Sequence, residues 1–211
     1  MINLHYNPAI SWQSKRVKQM QAGLETLGFF VRVTNSTVRI NSDPCVLFGT
    51  SAFKQIEAVP GDWLLVDRAC WGDPDYVRLG WNGRGLNADY MVGDLTRPVP
   101  KIKKTKKGDK VILCGDYGSV PSADATHFKP HPADPHNPTD LPMVDNFDDC
   151  DYAVVGASTV AIELILQGIA VVITDPSNMA NMPLEWLAHT QWSWDEIERG
   201  EPIGHLFQWL K

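Results

Sequence analysis

The sequence lacks the features that mark several common classes of protein. Its 211 residues include only four cysteines, which are widely spaced and form no CxxC pair. Neither a disulfide framework nor a zinc site is therefore expected. Basic residues are not in excess: 25 acidic and 19 basic side chains give a formal net charge of -6, unlike a strongly basic nucleic-acid-binding protein. These absences favour an acidic globular protein that keeps its thiols reduced.

Signals for export, for membrane insertion and for the common phosphate loops are also missing. No basic region followed by an apolar stretch opens the chain, so no signal peptide is expected. The apolar segment 152–174 contains Glu163 and Gln167, which favours strand–helix–strand over a bilayer helix. Neither GxxxxGK[ST] nor GxGxxG is present. We therefore expect a cytoplasmic protein without a membrane span.

Strand and helix patterns alternate along both halves of the chain. The segment Ser14–Leu27 predicts a helix, because its apolar residues share one face. The fold class that follows is α/β, with two small Rossmann-like units whose mainly parallel sheets face a cleft. The predicted strands are Ile2–Tyr6, Phe29–Val33, Cys45–Phe48, Trp63–Val66, Val77–Trp81, Val111–Cys114, Thr126–Lys129, Tyr152–Val155 and Ala170–Thr174, and further helices are predicted after Ser51 and over Thr159–Gln167 and Ile203–Leu210.

A lysine-dense segment marked by prolines, RPVPKIKKTKKGDK, divides the chain. We interpret it as a solvated linker, and the alternative is a patch that attracts phosphate or a polyanion. Ser193 and Glu196 match a capping box, which predicts that a helix begins there. The predicted organisation is an α/β domain over residues 1–95, a linker over 96–110, a second α/β domain over 111–192 and a helical tail over 193–211.

The pattern most indicative of a ligand site is a buried strand followed by small residues and a helix, VVGASTVAIE at 154–163. Small residues let a ligand approach the backbone, and the first turn of a helix offers unpaired N–H groups that suit a phosphate. Ser158 or Thr159 is expected to cap the helix and to add a hydroxyl donor. Glu163 is placed to bind two ribose hydroxyls. The alternative is that Ser158 is only a cap and Glu163 a half-buried helix residue.

Two further elements of the second half suit an anionic ligand. Lys129 and His131 are two residues apart in a proline-flanked extended segment, so they point to one side and can neutralise a diphosphate leaving group. Gly115 begins a glycine-bearing turn after a strand, where phosphates can approach. A structural loop is one alternative for the histidine segment. A metal site is a weaker one, because no regular ligand spacing is present; the residues concerned are His127, His131, Asp134, His136 and Asp140.

The order of these elements resembles the C-terminal half of GT-B glycosyltransferases, above all the bacterial capsule and Kdo-type transferases and the teichoic-acid-type polymerases. The resemblance covers residues 111–177. In those families an HP-type histidine and a Ser/Thr turn hold the phosphates of a nucleotide-sugar. The donor-binding residues that the resemblance implies are Gly115, Lys129, His131, Ser158 and Thr159 for the phosphates, and Glu163 for the ribose.

The first half is expected to form the acceptor side. Inverting sugar transfer needs a general base, for which Asp67, at a predicted strand end, is the first candidate and Asp73 the second. Arg68 and the turn at Trp81 and Asn82 are expected to line the acceptor. This turn is similar to the WHG turn of the teichoic-acid-type enzymes, but asparagine cannot act as a base, so that role is not carried over. Solvated or structural acidic residues are the alternative.

These inferences predict an inverting, metal-independent glycosyltransferase that uses a nucleotide-sugar as donor substrate and needs no cofactor. Small transferases of this kind also resemble bacteriophage enzymes that glycosylate hydroxymethylated pyrimidines in DNA. The lysines between Lys101 and Lys110 favour DNA as the acceptor, in which case the protein works in the host cytoplasm. The alternatives are a transferase acting on a cell-surface glycan, a nucleotide-sugar epimerase and a non-catalytic nucleotide-binding protein.

Overall fold

The chain forms two compact units. A computed structural model describes residues 1–35, 44–49, 62–71, 75–83, 85–90, 93, 97–104, 107–115, 124–131 and 139–204. The first unit is Met1–Arg97 together with Ala188–Lys211, and the second is Pro98–Leu187. The chain therefore leaves the first unit once and later returns to it. The assignment of the predicted domains to acceptor and donor stays a prediction.

The elements alternate between strand and helix for most of the chain. In chain order they are β1 (Ile2–His5), α1 (Ser11–Thr26), β2 (Val31–Thr34), β3 (Cys45–Phe48), β4 (Trp63–Arg68), β5 (Tyr76–Trp81), a 3-10 turn (Gly85–Asn87), β6 (Asp89–Tyr90), β7 (Lys110–Cys114), β8 (His127–Lys129), β9 (Cys150–Val155), α2 (Val160–Leu166), β10 (Ala170–Ile173), a 3-10 turn (Met179–Asn181), α3 (Leu184–His189), β11 (Gln191–Ser193), α4 (Trp194–Glu198) and α5 (Glu201–Gly204).

The first unit is built on a mixed sheet with the strand order β11-β5-β4-β3-β1-β2, and β6 also pairs with β5. Strands β2, β1, β3 and β4 are parallel, whereas β5 runs antiparallel to β4, and both β6 and β11 run antiparallel to β5. The parallel part is the expected Rossmann-like arrangement. The antiparallel edge decides where the residues after β5 lie.

Helix α1 covers one face of this sheet. Its buried residues Met20 and Leu24 pack with Leu4 of β1 in one apolar core, and burying each such side chain contributes about 1.5–3 kcal/mol. Helix α4 packs against α1 at Gly23, where a Cβ would stand 1.9 Å from the carbonyl oxygen of Ile197. Only glycine allows this approach, so the returning C-terminal segment is docked on the first core.

The second unit has a four-stranded sheet in the order β10-β9-β7-β8, and all three pairings are parallel. The central strands β7 and β9 are buried along most of their length, as expected for strands between two neighbours with both faces covered. The α/β fold class with mainly parallel sheets and Rossmann-like units is confirmed.

Several predicted bounds change in the structure. Within the described residues, the last helix begins at Glu201 rather than Ile203. Residues 205–211 lie outside the described residues, as does the helix expected after Ser51. The capping box of Ser193 and Glu196 is confirmed, because each side chain bonds the other's backbone N–H. No helix in the described part of the chain is long and apolar enough to cross a membrane.

Candidate functional site

The second sheet has a topological switch point between β7 and β9. From β7 the chain passes to β8 on one side, and then to β9 on the other side. In open parallel sheets, ligands bind in the crevice beyond the carboxyl ends of the strands where the order reverses in this way. The segments that follow β7 and β9 therefore flank the position at which a ligand is expected.

The predicted donor residues lie around this position. Gly115 directly follows β7, Ser158 and Thr159 lie in the turn after β9, and Lys129 ends β8 with His131 two residues beyond. Because neighbouring strands are about 4.8 Å apart, the ends of β8 and β9 are about 10 Å apart, with β7 between them. The parallel sheet thus brings five of the six predicted donor residues to one edge.

The sixth predicted donor residue, Glu163, lies in the first turn of α2 and is exposed. Its carboxylate is accessible to a ligand, in contrast to the half-buried alternative considered from the sequence. Its contact with a ribose stays a prediction.

The start of α2 differs from the expected anion site. The helix has only seven residues, and its cap residue Thr159 makes no side-chain cap hydrogen bond. Its first N–H groups are already occupied: Val160 donates to Ser158 Oγ at 3.3 Å, Ala161 to the Ser158 carbonyl at 3.4 Å, and Ile162 to the Thr159 carbonyl at 3.0 Å. Because the first N–H groups of this short helix already have acceptors, they are not available to an anion. Any phosphate contact here must therefore come from the turn before α2.

The turn itself is held by a residue that the sequence did not indicate. Asn178, only 2% exposed, donates from Nδ2 to the carbonyl oxygens of Gly156 and of Ser158, the latter at 3.1 Å. Its Oδ1 accepts from the Ala180 N–H at 2.8 Å. Both N–H donors and the oxygen of this buried amide are engaged, so the segment after β10 fixes the turn after β9.

Lys129 and Gly115 have local partners at the same edge. The Lys129 ammonium donates to the Asp145 carbonyl at 2.7 Å and lies 5.6 Å from the ring centroid of Phe147. This leaves two N–H groups for other acceptors. A Cβ on Gly115 would meet Phe128 Cζ at 2.8 Å and the His131 nitrogen at 3.1 Å. Gly115 therefore brings β7 and the segment after β8 close together, and the space at its α-carbon is already filled.

The histidine segment does not gather a metal site among the described residues. No group of three or more His, Cys, Asp or Glu side chains could hold a metal ion in that part of the chain. His127 Nδ1 lies 2.9 Å from the Thr126 hydroxyl, and Asp134 and His136 lie outside the described residues. His131 is partly buried.

In the first unit, the partly exposed candidate base Asp67 forms an ion pair with the buried Arg78. Its Oδ2 accepts from Nη2 of Arg78 at 3.0 Å, and its Oδ1 accepts from the Arg68 N–H at 2.8 Å. Arg78 is 1% exposed, and its Nε donates to the Arg68 carbonyl at 2.8 Å. Burial by itself lowers the pKa of Arg78, but nearby Cys70 and Asp67 outweigh it, so the net pKa is raised and the guanidinium stays charged.

This pairing gives Asp67 a structural task. A buried guanidinium without a counter-charge is costly, and Asp67 is the carboxylate that pairs with it. The thiol of Cys70 lies in the same cluster, where burial raises its pKa. The second candidate base, Asp73, lies outside the described residues.

The predicted acceptor residues do not lie together. Asn82, in a left-handed conformation with φ 46°, accepts from the Trp63 N–H at 2.8 Å and donates to Asp62 at 3.1 Å. Because β5 is antiparallel to β4, the turn at Trp81 and Asn82 lies at the amino end of β4, whereas Arg68 lies at its carboxyl end. The two ends are five residues, or about 16 Å, apart. One small acceptor site cannot contain both groups.

Arg68 is the predicted acceptor residue at the edge where ligands are expected. Its guanidinium lies 6.0 Å from the ring centroid of Trp12, the second residue of α1. Trp12 in turn lies 5.6 Å from Phe48, at the end of β3. Since the sheet order reverses between β1 and β3, these three side chains mark the switch point of the first sheet. No pattern in the sequence indicated a role for Trp12.

Comparison with known proteins gives a fold and no family. No family model matches the chain, and no curated protein was found similar to it. Among solved structures, a chain of the beta-Kdo 2,7 transferase KpsC from Thermosulfurimonas dismutans is similar, with a TM-score of 0.50 and 12% identity. The match covers 96% of this chain and 99% of that chain. At this identity the likeness shows the fold alone, which is a Rossmann-type α/β fold.

Proposed function

We propose that the protein is a glycosyltransferase that moves a sugar from a nucleotide-sugar to a hydroxyl group. One observation carries the proposal: Gly115, Lys129, His131 and Ser158 gather at the carboxyl edge of an all-parallel sheet, around its switch point. Sequence positions more than forty residues apart converge there. The glycosyltransferase-like fold of the whole chain supports the same interpretation.

The second unit would bind the donor through its phosphates. Among the described residues, the Lys129 ammonium makes one hydrogen bond, to the Asp145 carbonyl, which leaves two N–H groups for a phosphate. His131 follows Lys129 at the same edge. Positive charge and N–H donors at this position stabilise the negative charge that develops on a leaving phosphate. A site that neutralises the leaving group with side chains and backbone fits the metal-independent reaction that the sequence predicted.

The proposed chemistry is a single displacement at the anomeric carbon. The acceptor oxygen forms a bond to that carbon while the bond from the carbon to the phosphate oxygen breaks. The electron pair leaves with the nucleotide, the acceptor proton passes to a carboxylate base, and the configuration of the sugar inverts. Asp67 and Asp73 remain the candidate bases. Asp67 is the less favoured candidate, because both of its carboxylate oxygens already accept hydrogen bonds.

The acceptor is proposed as either a glycan or DNA with hydroxymethylated bases. Part of the lysine segment is neutralised locally, because Lys107 pairs with Asp151 at 3.0 Å and Lys110 lies 3.7 Å from Asp149. Lys101 and Lys104 are exposed, and they favour a polyanionic acceptor. The similar KpsC chain, a Kdo transferase, favours a glycan.

A transfer assay with mass-spectrometric detection tests the proposal. Purified protein is incubated with UDP-, GDP-, ADP- and CMP-linked sugars, each with a hydroxymethylcytosine oligonucleotide, a Kdo-terminated glycan or no acceptor. We expect one donor to give a glycosylated acceptor and a lower yield with Lys129→Ala than with Lys110→Ala. Interconversion of sugars without an acceptor would instead indicate an epimerase. The absence of donor consumption in every mixture would contradict an enzymatic role.

A second candidate function is a nucleotide-binding protein without catalysis. The observation that favours it is the ion pair between Asp67 and the buried Arg78, which gives the first candidate base a structural role. Such a protein would bind a nucleotide-sugar at the second unit and release it unchanged. Binding without transfer to either acceptor class would support this candidate.

A further inference from the structure

The segment that follows β10 controls the backbone of the turn that follows β9. Asn178 is the link, and it donates to two carbonyl oxygens that are two residues apart, those of Gly156 and Ser158. Asn178 is itself fixed, because its Oδ1 accepts from Ala180 and its backbone N–H donates to the Asp175 carbonyl at 3.1 Å. Both carbonyl groups are thus turned inward, towards a buried and rigid amide.

The orientation of the carbonyl groups dictates that of the N–H groups. In a trans peptide the C=O of one residue and the N–H of the next point in opposite directions. With the Gly156 and Ser158 carbonyls turned towards Asn178, the N–H groups of Ala157 and Thr159 point away from it. Neither N–H has an acceptor in the described part of the chain, and Ala157 is exposed.

Two outward N–H groups separated by one residue suit an oxyanion. Successive backbone N–H groups in a turn form concave anion-binding sites, and here they lie at the switch point beside Gly115. The amides of the short helix α2 do not contribute, since Ala161 and Ile162 already donate to turn carbonyls. The backbone N–H donors available to an anion after β9 are therefore those of the turn, not those of α2.

We propose that Asn178 is the positioning residue of the donor site, which presents the Ala157 and Thr159 N–H groups to a phosphate of the nucleotide-sugar. This inference rests on the proposed function for the identity of the ligand. The orientation of the turn by Asn178 is independent of that identity. Asn178 does not touch the substrate and acts through the two peptide groups that it holds.

Asn181 offers a matched control three residues away. It is exposed, and its Nδ2 donates to the carbonyls of Asp175 at 3.3 Å and Pro176 at 3.2 Å. Asn178→Asp keeps the shape of the side chain and its Oδ1 acceptor, but it removes both donated hydrogen bonds to the turn. Asn181→Asp makes the same chemical change in the same segment and leaves the turn intact.

The test combines binding with a local measurement of order. The dissociation constants of UDP, GDP, ADP, CMP and inorganic pyrophosphate are measured at low temperature for the wild type and both variants. The 15N heteronuclear NOE is recorded at Ala157 and Thr159. We expect Asn178→Asp to weaken the best probe at least tenfold and to lower both NOE values, and Asn181→Asp to stay within threefold of the wild type.

Two results separate the positioning role from the donor site. If the folded Asn178→Asp variant keeps wild-type affinity and wild-type NOE values, the positioning role is overturned, even if its Tm falls. If the wild type binds none of the probes, the donor site is overturned, while lower NOE values in Asn178→Asp still support the control of the turn. Asn178→Ser, which lacks the carboxylate, gives the same readouts without the added charge and must agree with Asn178→Asp.

Discussion

The guanidinium of Arg78 donates a hydrogen bond to the Asp67 carboxylate at 3.0 Å from a position that is 1% exposed. The pair joins two neighbouring antiparallel strands, in which the two residues lie directly opposite each other. Replacing Asp67 by Asn leaves a buried charge without its counter-ion, and we expect the free energy of unfolding to fall by about 3 kcal/mol. Urea unfolding at pH 7 measures this change.

The matched control is Asp62→Asn. Asp62 is exposed, and Asn82 is among its hydrogen-bond partners. Because its carboxylate is solvated and, among the described residues, has no buried counter-charge to neutralise, the same chemical change should alter the free energy of unfolding by less than about 0.5 kcal/mol. Equal effects in the two variants would contradict the structural role of Asp67. A large loss of kcat in folded Asp67→Asn, with unchanged donor affinity, would support the base role as well.

This ion pair illustrates what the sequence could and could not predict. Strand Cys45–Phe48 has the predicted bounds, because a compact apolar run between breakers leaves few alternatives. The sequence places Asp67 at a strand end but does not reveal that Arg78 lies opposite, since pairing across strands depends on register. Strand β11 was missed because its three residues, QWS, form a strand only through pairing with β5.

The candidate site divides in the same way. The residues after parallel strands converge at one edge, so Gly115, Lys129 and Ser158 could be grouped from the sequence. Asn178 could not, because its partners lie about twenty residues earlier and an isolated asparagine carries no pattern. The separation of the turn at Trp81 and Asn82 from Arg68 could not be predicted either, because the antiparallel direction of β5 is not visible in its composition.

The two ends of the second sheet should respond differently to the loss of a lysine. Lys129 ends β8 at the edge of the candidate site, whereas Lys110 begins β7 at the opposite edge, where it donates to the Asp148 carbonyl. We expect Lys129→Ala to raise the dissociation constant of the donor about tenfold, as for a lost hydrogen bond from a charged group. Calorimetric titration at about 0.15 M salt, where the Debye length is about 8 Å, measures this effect.

Lys110→Ala is the control, and it tests whether the position of the lysine in the second sheet matters. Lys110→Ala removes the same charge at the other edge and should change the dissociation constant by less than about twofold, since exposed charges at that distance are screened. Equal weakening in both variants would show that only net charge matters, and would contradict a donor site at the carboxyl edge.

Glu196 should make the first unit sensitive to acid. Burial alone raises its pKa, but hydrogen bonds from Arg97 and Ser193 outweigh burial and hold the pKa below its ordinary value of 4.5. A lowered pKa in the folded state stabilises the protein above the unfolded pKa, and this stability is lost as the pH falls through the folded value. We expect Glu196→Gln to cost about 2 kcal/mol at pH 7 and less below about pH 4.5.

Chemical unfolding between pH 3 and pH 7 measures this difference. Glu198→Gln is the control, because Glu198 is exposed and accepts only from the Gln19 side chain among the described residues. A gap between wild type and Glu196→Gln that stays constant over this pH range would contradict the lowered pKa.

Gly115 and Phe128 should be energetically coupled. A Cβ at Gly115 would stand 2.8 Å from Phe128 Cζ, and Phe128 is 1% exposed. Gly115→Ala should therefore destabilise the second unit by about 1–3 kcal/mol through overpacking. In a double-mutant cycle, Phe128→Leu makes room and should recover about 1 kcal/mol of that cost. Strictly additive effects would contradict this packing account.

Donor binding at the second sheet is the central claim, and a thermal-shift titration tests it most directly. UDP-, GDP-, ADP- and CMP-linked sugars are titrated against the wild type, His131→Ala and His127→Ala, where His127 begins β8 at the opposite edge from His131. A ligand that binds only the folded state raises Tm, and the increase grows with the ratio of ligand concentration to dissociation constant. The account predicts a shift with one donor class that is lost in His131→Ala and kept in His127→Ala. No shift with any donor, or a shift that His131→Ala leaves unchanged, would contradict the account.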